Sequence, residues 1–231
     1  MADHTGSSYD DIANKYADTV EDKPIMVYFE RPAFLSLLPS VKNMQVLDAG
    51  CGNGWYSAYL LAEGAKVTAF DFNKDFVKRT EERLQERARV FQANLAEPLT
   101  MLSDEAFDLI ICPLVMHYIK DWLPVFKDFN RILKAGGHLI FSTHHPSTDL
   151  QLSKGDDYFA TELIEDEWDV GKVTFYRRPL TTMTTDLRNA GFVIEDILEP
   201  QPLKTLEAID ADLYKRFNTN PLRLMFRVRK A

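Results

Sequence analysis

Val46–Gly54 reads VLDAGCGNG, a short apolar strand that runs into an acid and then into glycines at positions 50, 52 and 54. Val46 and Leu47 end an apolar run that starts near Met44. The glycines let the backbone curl tightly and come close to a ligand with no Cβ in the way. From Trp55 to Glu63 the pattern turns helical, with Tyr56, Tyr59 and Leu60 on one side. A strand, a glycine-rich turn and a helix in this order is how doubly wound α/β proteins bind nucleotides at the carboxyl edge of a sheet.

Two departures from the dinucleotide fingerprint narrow that expectation. The glycines follow G-x-G-x-G, whereas the G-x-G-x-x-G pattern needs a glycine at position 55, where the chain has Trp55. Asp48 stands two residues before the first glycine, which puts a carboxylate beside the loop where a pyrophosphate needs positive potential. A ligand with no phosphate and net cationic character suits the loop better. S-adenosylmethionine, with an α-amino group, a sulfonium, a ribose and an adenine, has that character.

The segment strongly resembles motif I of the class I S-adenosylmethionine-dependent methyltransferases. The resemblance implies a Rossmann-like, doubly wound, seven-stranded sheet, mostly parallel with its last strand antiparallel, and helices on both faces. It places Asp48, Ala49, Gly50, Cys51, Gly52, Gly54 and Trp55 around the cofactor, together with Phe72 and Pro113 at the ends of later strands. Lys66–Phe70 (KVTAF) is a β-branched strand with Asp71 at its end, about 20 residues past the loop. The Asp71 carboxylate is suited to accept hydrogen bonds from both ribose hydroxyls. The same acid is also suited to cap the following helix, a task Asn73 can do equally well.

Further along, Arg89–Ala93 resembles the family's third strand, and Asn94 and Leu95 fall where the family presents a polar side chain and a backbone amide to the adenine. Phe107–Cys112 (FDLIIC) is the continuous apolar run of a central parallel strand. A helix over Trp122–Leu133, a glycine turn and fifth strand in KAGGHLIFST, a helix, turn and sixth strand in Leu187–Pro200, and a last strand over Leu222–Val228 complete the resemblance. It covers residues 44–145 and 180–229, with right-handed crossovers throughout.

Composition sets limits on this picture. A chain of 231 residues with 45% apolar content supports one large domain over 1–231. No run of 18 apolar residues occurs, and MADHTGSSYDD has neither a basic nor an apolar signal segment, so a soluble, cytoplasmic protein is expected. The two cysteines, Cys51 and Cys112, have no C-x-x-C spacing and read as reduced, buried thiols. A net charge of −8 and a run from Asp156 to Asp169 with seven acids and no Lys or Arg disfavour nucleic acid as a partner. A small-molecule methyl acceptor, handled by a monomer or homodimer, is the expectation. A methyltransferase acting on tRNA or protein, and a regulatory protein that binds the cofactor without transfer, are the alternatives.

Three segments outside the cofactor half are candidates for choosing the acceptor. Residues 1–40 read as a helical cap: one helix starting at Ser8 and carrying Tyr16, and a second from Ile25 to Leu38, interrupted by Pro32. Tyr16, Tyr28 and Arg31 are candidate contacts to the cofactor carboxylate or the acceptor, against core packing for the tyrosines and a surface ion pair for Arg31. The second segment is Thr143–Leu150 (THHPSTDL), at the carboxyl end of the fifth strand. His144 and His145 point in opposite directions in an extended chain, so only one can face a pocket. Either imidazole, or His117 after the fourth strand, is a candidate general base. The alternatives are structural roles or a metal held by His144, His145 and Asp149; adjacent histidines rarely ligate one ion together, so no metal is expected. The third segment is the insertion over residues 146–180, aromatic and acidic, whose end VTFYRRP reads as an edge strand and whose length suits a lid or acceptor-binding region. Arg177 and Arg178 there are candidates for an acceptor carboxylate.

Overall fold

The computed structural model describes residues 19–168 and 171–231. The helix expected from Ser8, with Tyr16 on it, lies outside the described residues. Strands β1 (Gln45–Ala49), β2 (Lys66–Asp71), β3 (Arg89–Gln92), β4 (Phe107–Pro113) and β5 (Leu133–His144) pair in parallel. After β5 come two strands of a separate hairpin, β6 (Glu162–Trp168) and β7 (Gly171–Arg177). The main sheet is completed by β8 (Phe192–Leu198) and β9 (Arg223–Lys230), with β9 antiparallel to both β5 and β8. Its order is β3-β2-β1-β4-β5-β9-β8, the seven-stranded Rossmann-like arrangement expected from the sequence.

Both faces of the sheet are covered, which is why its central strands read as unbroken apolar runs. Val46, Leu109, Ile111 and Ile140 pack with Phe34 of α1 (Arg31–Ser36) and with Tyr56 and Leu60 of α2 (Trp55–Ala62). Their neighbours Leu47, Ile110, Leu139 and Phe141 belong to the opposite layer, as the two-residue period of a strand requires. The helix α3 (Lys74–Leu84) starts at Asn73, whose side-chain oxygen accepts from the amides of Asp75 and Phe76. In α4 (Trp122–Ile132), Trp122, Val125, Phe126, Phe129 and Ile132 are buried at helical spacing. Each such side chain contributes about 1.5–3 kcal/mol by leaving water.

Several expectations need correction. Pro32 does not interrupt the second helix: Met26–Glu30 is wound as a π-helix that runs without a break into α1, Glu30 and Arg31 being helical, so the wider winding just before Pro32 absorbs the proline. The Gly136–Gly137 pair lies inside β5, in an irregularity that shifts the register between Phe107 and Leu109. VTFYRRP does form a strand, β7, but it lies in a separate two-stranded sheet and not in the main one. The edge of β5 is taken by β9, so β7 pairs with β6 instead, and Ile164, Val173 and Phe175 form a small core of their own. Between β5 and β6 lies the short helix α5 (Pro146–Leu150), and α6 (Leu180–Asn189) follows the hairpin. Two helices before β9, α7 (Thr205–Ile209) and α8 (Ala211–Thr219), send Leu206 and Phe217 against Phe29. No helix among the described residues is long and apolar enough to cross a membrane.

Candidate active site

The turn after β1 is held from both sides. The amides of Gly50 and Cys51 both donate to the Phe70 carbonyl at 2.9 Å, which ties the loop to the end of β2. Gly50 has φ +80°, and a Cβ there would lie 2.3 Å from Cγ2 of Val115; only glycine fits. The Thr80 hydroxyl of α3 donates to the Gly52 carbonyl at 2.8 Å, and the Gly52 amide donates to Oδ2 of Asp71 at 2.9 Å. Oδ1 of Asp71 accepts from the Asn73 amide at 2.9 Å. The acid at the end of β2 is thereby fixed against the glycine loop, while Asn73 caps α3.

A cavity opens above this loop. Gly50, Cys51, Gly52, Trp55, Asp71 and Phe72 line one part of it. Leu95, Pro113 and Arg31 close the rest, with Ala93, Val115 and Tyr118. Other residues proposed from the sequence lie elsewhere. Asp48 is fully buried beneath the loop, its Oδ2 accepting from Ser57 at 2.6 Å. Burial raises its pKa to about 7, so at neutral pH much of its charge is suppressed. The sequence placed this carboxylate beside the ligand; the structure places it under the floor. Ala49 is buried with it, and Gly54, at φ +78°, packs against Thr80. Asn94 turns away from the cavity: its side chain accepts from the Ala96 amide and donates to Glu97. Cys51 and Cys112 are free and buried, and burial keeps both thiols protonated.

Arg31 is buried, and its guanidinium lies 4.2 Å over the Trp55 ring. Nη1 of Arg31 donates to the Glu21 carbonyl at 2.7 Å. The Glu21 carboxylate accepts from Asn53 of the loop at 2.7 Å and pairs with Arg83 of α3. One residue of the N-terminal segment therefore straps three elements around the cavity mouth.

A second cavity, about 680 Å³, adjoins the first; Val20, Met26, Leu114 and Tyr118 line both. The volume falls in the range of roughly 300–1,000 Å³ common for small-molecule sites. His144 and His117 line it, stacked with ring centroids 3.9 Å apart and planes 15° off parallel. Phe175 of the hairpin meets His144 edge-on at 4.5 Å. Nδ1 of His144 stands 3.5 Å from Oδ1 of Asp149. Burial, with Arg223 nearby, pushes the His144 pKa well below the ordinary imidazole value, and burial does the same to His117; both rings are neutral. His145 faces the other way, pairing with Glu199 at 2.8 Å and capping α5 through Ser147.

The two arginines of the insertion are not available to an acceptor. Arg177 clamps the hairpin, donating to Glu162 and to the carbonyls of Tyr158 and Asp157 at 2.8–2.9 Å. Arg178 is buried over the Trp122 ring and donates to the Ile119 carbonyl. Sequence reasoning missed Val20, Met26, Tyr118, Arg223 and Phe217 as cavity walls. The four-residue spacing of Leu213 and Phe217 was a usable signal for the last of these.

A family model described as a methyltransferase domain matches residues 47–141. An uncharacterized protein of Haemophilus influenzae is 30% identical over 193 residues, 74% of this chain and 76% of its own. A ubiquinone biosynthesis O-methyltransferase of Pseudomonas putida is 27% identical over 190 residues, 80% of each chain. The crystal structure of an S-adenosylmethionine-dependent methyltransferase from Mesorhizobium loti superposes with a TM-score of 0.77 at 26% identity, covering 87% of this chain and 97% of that one. Joined to the sheet order and the glycine loop, these likenesses are decisive: the chain belongs to the class I S-adenosylmethionine-dependent methyltransferases.

Proposed function

We propose that this methyltransferase passes the methyl group of S-adenosylmethionine to a small-molecule acceptor held in the second cavity. The observation that carries the proposal is the shared wall of Val20, Met26, Leu114 and Tyr118, where a donor over the glycine loop and an acceptor beside His144 can meet. The loop fits the donor: it is open over Gly52, where a Cβ would meet nothing within 4 Å, and the carboxylate beside it in the cavity is that of Asp71 at the end of β2. Asp71 then holds the ribose hydroxyls, Phe72 and Leu95 flank the adenine, and Gly50 gives the methionyl chain room, with Arg31 facing its carboxylate. Asp48, Ala49 and Gly54 act from beneath, by setting the loop.

When bound, S-adenosylmethionine supplies a methyl group already activated by the sulfonium, delivered by in-line displacement with S-adenosylhomocysteine as product. The protein adds alignment and exclusion of water. The Glu165 and Glu167 side chains are exposed on the hairpin beside the second cavity, and with a net charge of −8 they oppose approach of a polyanion. The O-methyltransferase of Pseudomonas putida also supports a small acceptor. Incubation with methyl-labelled donor and a fractionated cell extract tests the proposal. Label should enter the low-mass fraction; label confined to RNA or protein would overturn it.

A further inference from the structure

We propose that the acceptor is an aromatic or heteroaromatic alcohol whose hydroxyl proton leaves through His144 to Asp149, a step that rests on the small-molecule reading above. The placement of His144 is the starting point. Its ring stacks on His117 and meets Phe175 at right angles at its rim, Nδ1 stands 3.5 Å from Asp149, and both His144 and Asp149 line the second cavity. In the tautomer that carries its proton on Nδ1, beside the carboxylate, the Nε2 lone pair is the one left for a ligand. The 3.5 Å separation must close somewhat to transfer a proton, as catalytic contacts commonly do once substrate binds.

The groups around this pair decide where the proton rests. His144 is faced by His117, Asp149 and Arg223; Asp149 is faced by Arg223 of β9, His145, Arg177 of β7 and Asp166 of β6. Burial and Arg223 disfavour an imidazolium at His144. Burial lifts Asp149 to about 7, with the nearby cations opposing and Asp166 adding to the rise. The imidazole is thus the conduit and the carboxylate the store. The acceptor O–H bond breaks as its proton moves to Nε2, and the Nδ1 proton moves to Asp149. The oxygen forms its bond to the methyl group while the S–CH₃ bond breaks, its electron pair remaining on sulfur. Solvent then removes the Nε2 proton as Asp149 returns its own to Nδ1.

The walls point to the ring. Trp168, Phe175 and Phe217 give the cavity flat apolar surfaces, while Lys23, Arg216 and Arg223 offset Asp149, Asp166 and Glu167, so no net acidic face recruits an amine. A phenol presents one flat apolar body and one proton to lose.

Turnover of catechol, phenol and 4-nitrophenol with labelled donor, compared with ethanolamine, tests the assignment in wild type, His144→Gln and Asp149→Asn. For catechol and phenol, each variant should lose at least about 100-fold in kcat while keeping S-adenosylhomocysteine affinity. With 4-nitrophenol at pH 8, already ionised, the loss should shrink below about fivefold. The wild-type kcat for phenol should fall as pH drops through about 7, and Asp149→Asn should flatten that limb. A direct readout is the absorbance of 4-nitrophenol bound to the S-adenosylhomocysteine complex at pH 7: more of it is ionised in wild type than in either variant. Equal losses for all three phenols, or equal ionisation, would overturn the relay. Methylation of ethanolamine alone, or of no phenol by a protein that binds S-adenosylhomocysteine, would overturn the acceptor class. Failure to bind S-adenosylhomocysteine would instead overturn the reading beneath it.

Discussion

The floor under the glycine loop and the roof over the second cavity are built by opposite means. The loop is determined locally: β1, its turn and α2 are contiguous, and the backbone itself is held by Phe70, Thr80 and Asp71. The roof is assembled from distant pieces, with His144 from β5, Asp149 from α5, Phe175 from the hairpin and Arg223 from β9 meeting at one wall. Local construction tolerates little change and binds what is common to a family. Assembled walls can vary independently, which is where an acceptor can be chosen without disturbing the donor site.

The sharpest way to break that comparison is through the buried acid of the floor. Burial raises Asp48 to about 7, above its ordinary value near 4, so the folded state holds this proton more tightly than the unfolded chain does. Its contribution to stability is full near pH 4 and is lost as pH rises to 7, by up to about 4 kcal/mol. Asp48→Asn removes that titration. Urea unfolding of the variant relative to wild type should therefore improve from pH 4 to 7 and level off above. A constant offset across the window would mean the acid is not the strained element.

Gly50→Ala comes next, because its Cβ would meet Val115 and its φ is +80°. The strain and overpacking should cost about 2–4 kcal/mol, lowering Tm and weakening S-adenosylhomocysteine binding at least about tenfold by calorimetry. An unchanged melting curve would show the loop to be softer than its contacts imply. On the roof, Trp168→Ala removes one flat wall and should raise the acceptor KM about tenfold while leaving S-adenosylhomocysteine affinity alone. Equal loss of both would make the hairpin part of the fold's support. The smallest effect expected is that of Glu21→Gln, which weakens the half-exposed pair with Arg83 but keeps a partner for Asn53. Cofactor affinity should fall no more than about fivefold, and a loss that does not shrink with added salt would argue against the ion pair.

This contrast also explains what was legible in the sequence. VLDAGCGNG and FDLIIC declare themselves because strand periodicity and left-handed glycines are properties of neighbouring residues. Asp71 was legible for the same reason, standing at the end of the next strand. The alternate facing of His144 and His145 follows from strand geometry, and the structure turns His144 to the second cavity and His145 to Glu199. The partnership of His144 with Asp149 depends on how α5 turns back, and the pairing of β7 with β6 depends on β9 having taken the edge of β5. Neither is written in local pattern. Asp48 misled because its position beside the glycines suggested a ligand contact, whereas the alternation of β1 sends it inward to Ser57.

The central claim is that the crevice between the glycine loop and Asp71 holds the adenosyl end of the methyl donor. Calorimetry of wild type and Asp71→Ala with S-adenosylhomocysteine tests it most directly. Micromolar-scale binding by wild type and at least a tenfold loss in the variant are predicted; equal affinity in the two, or tighter binding of a nicotinamide dinucleotide, would contradict it.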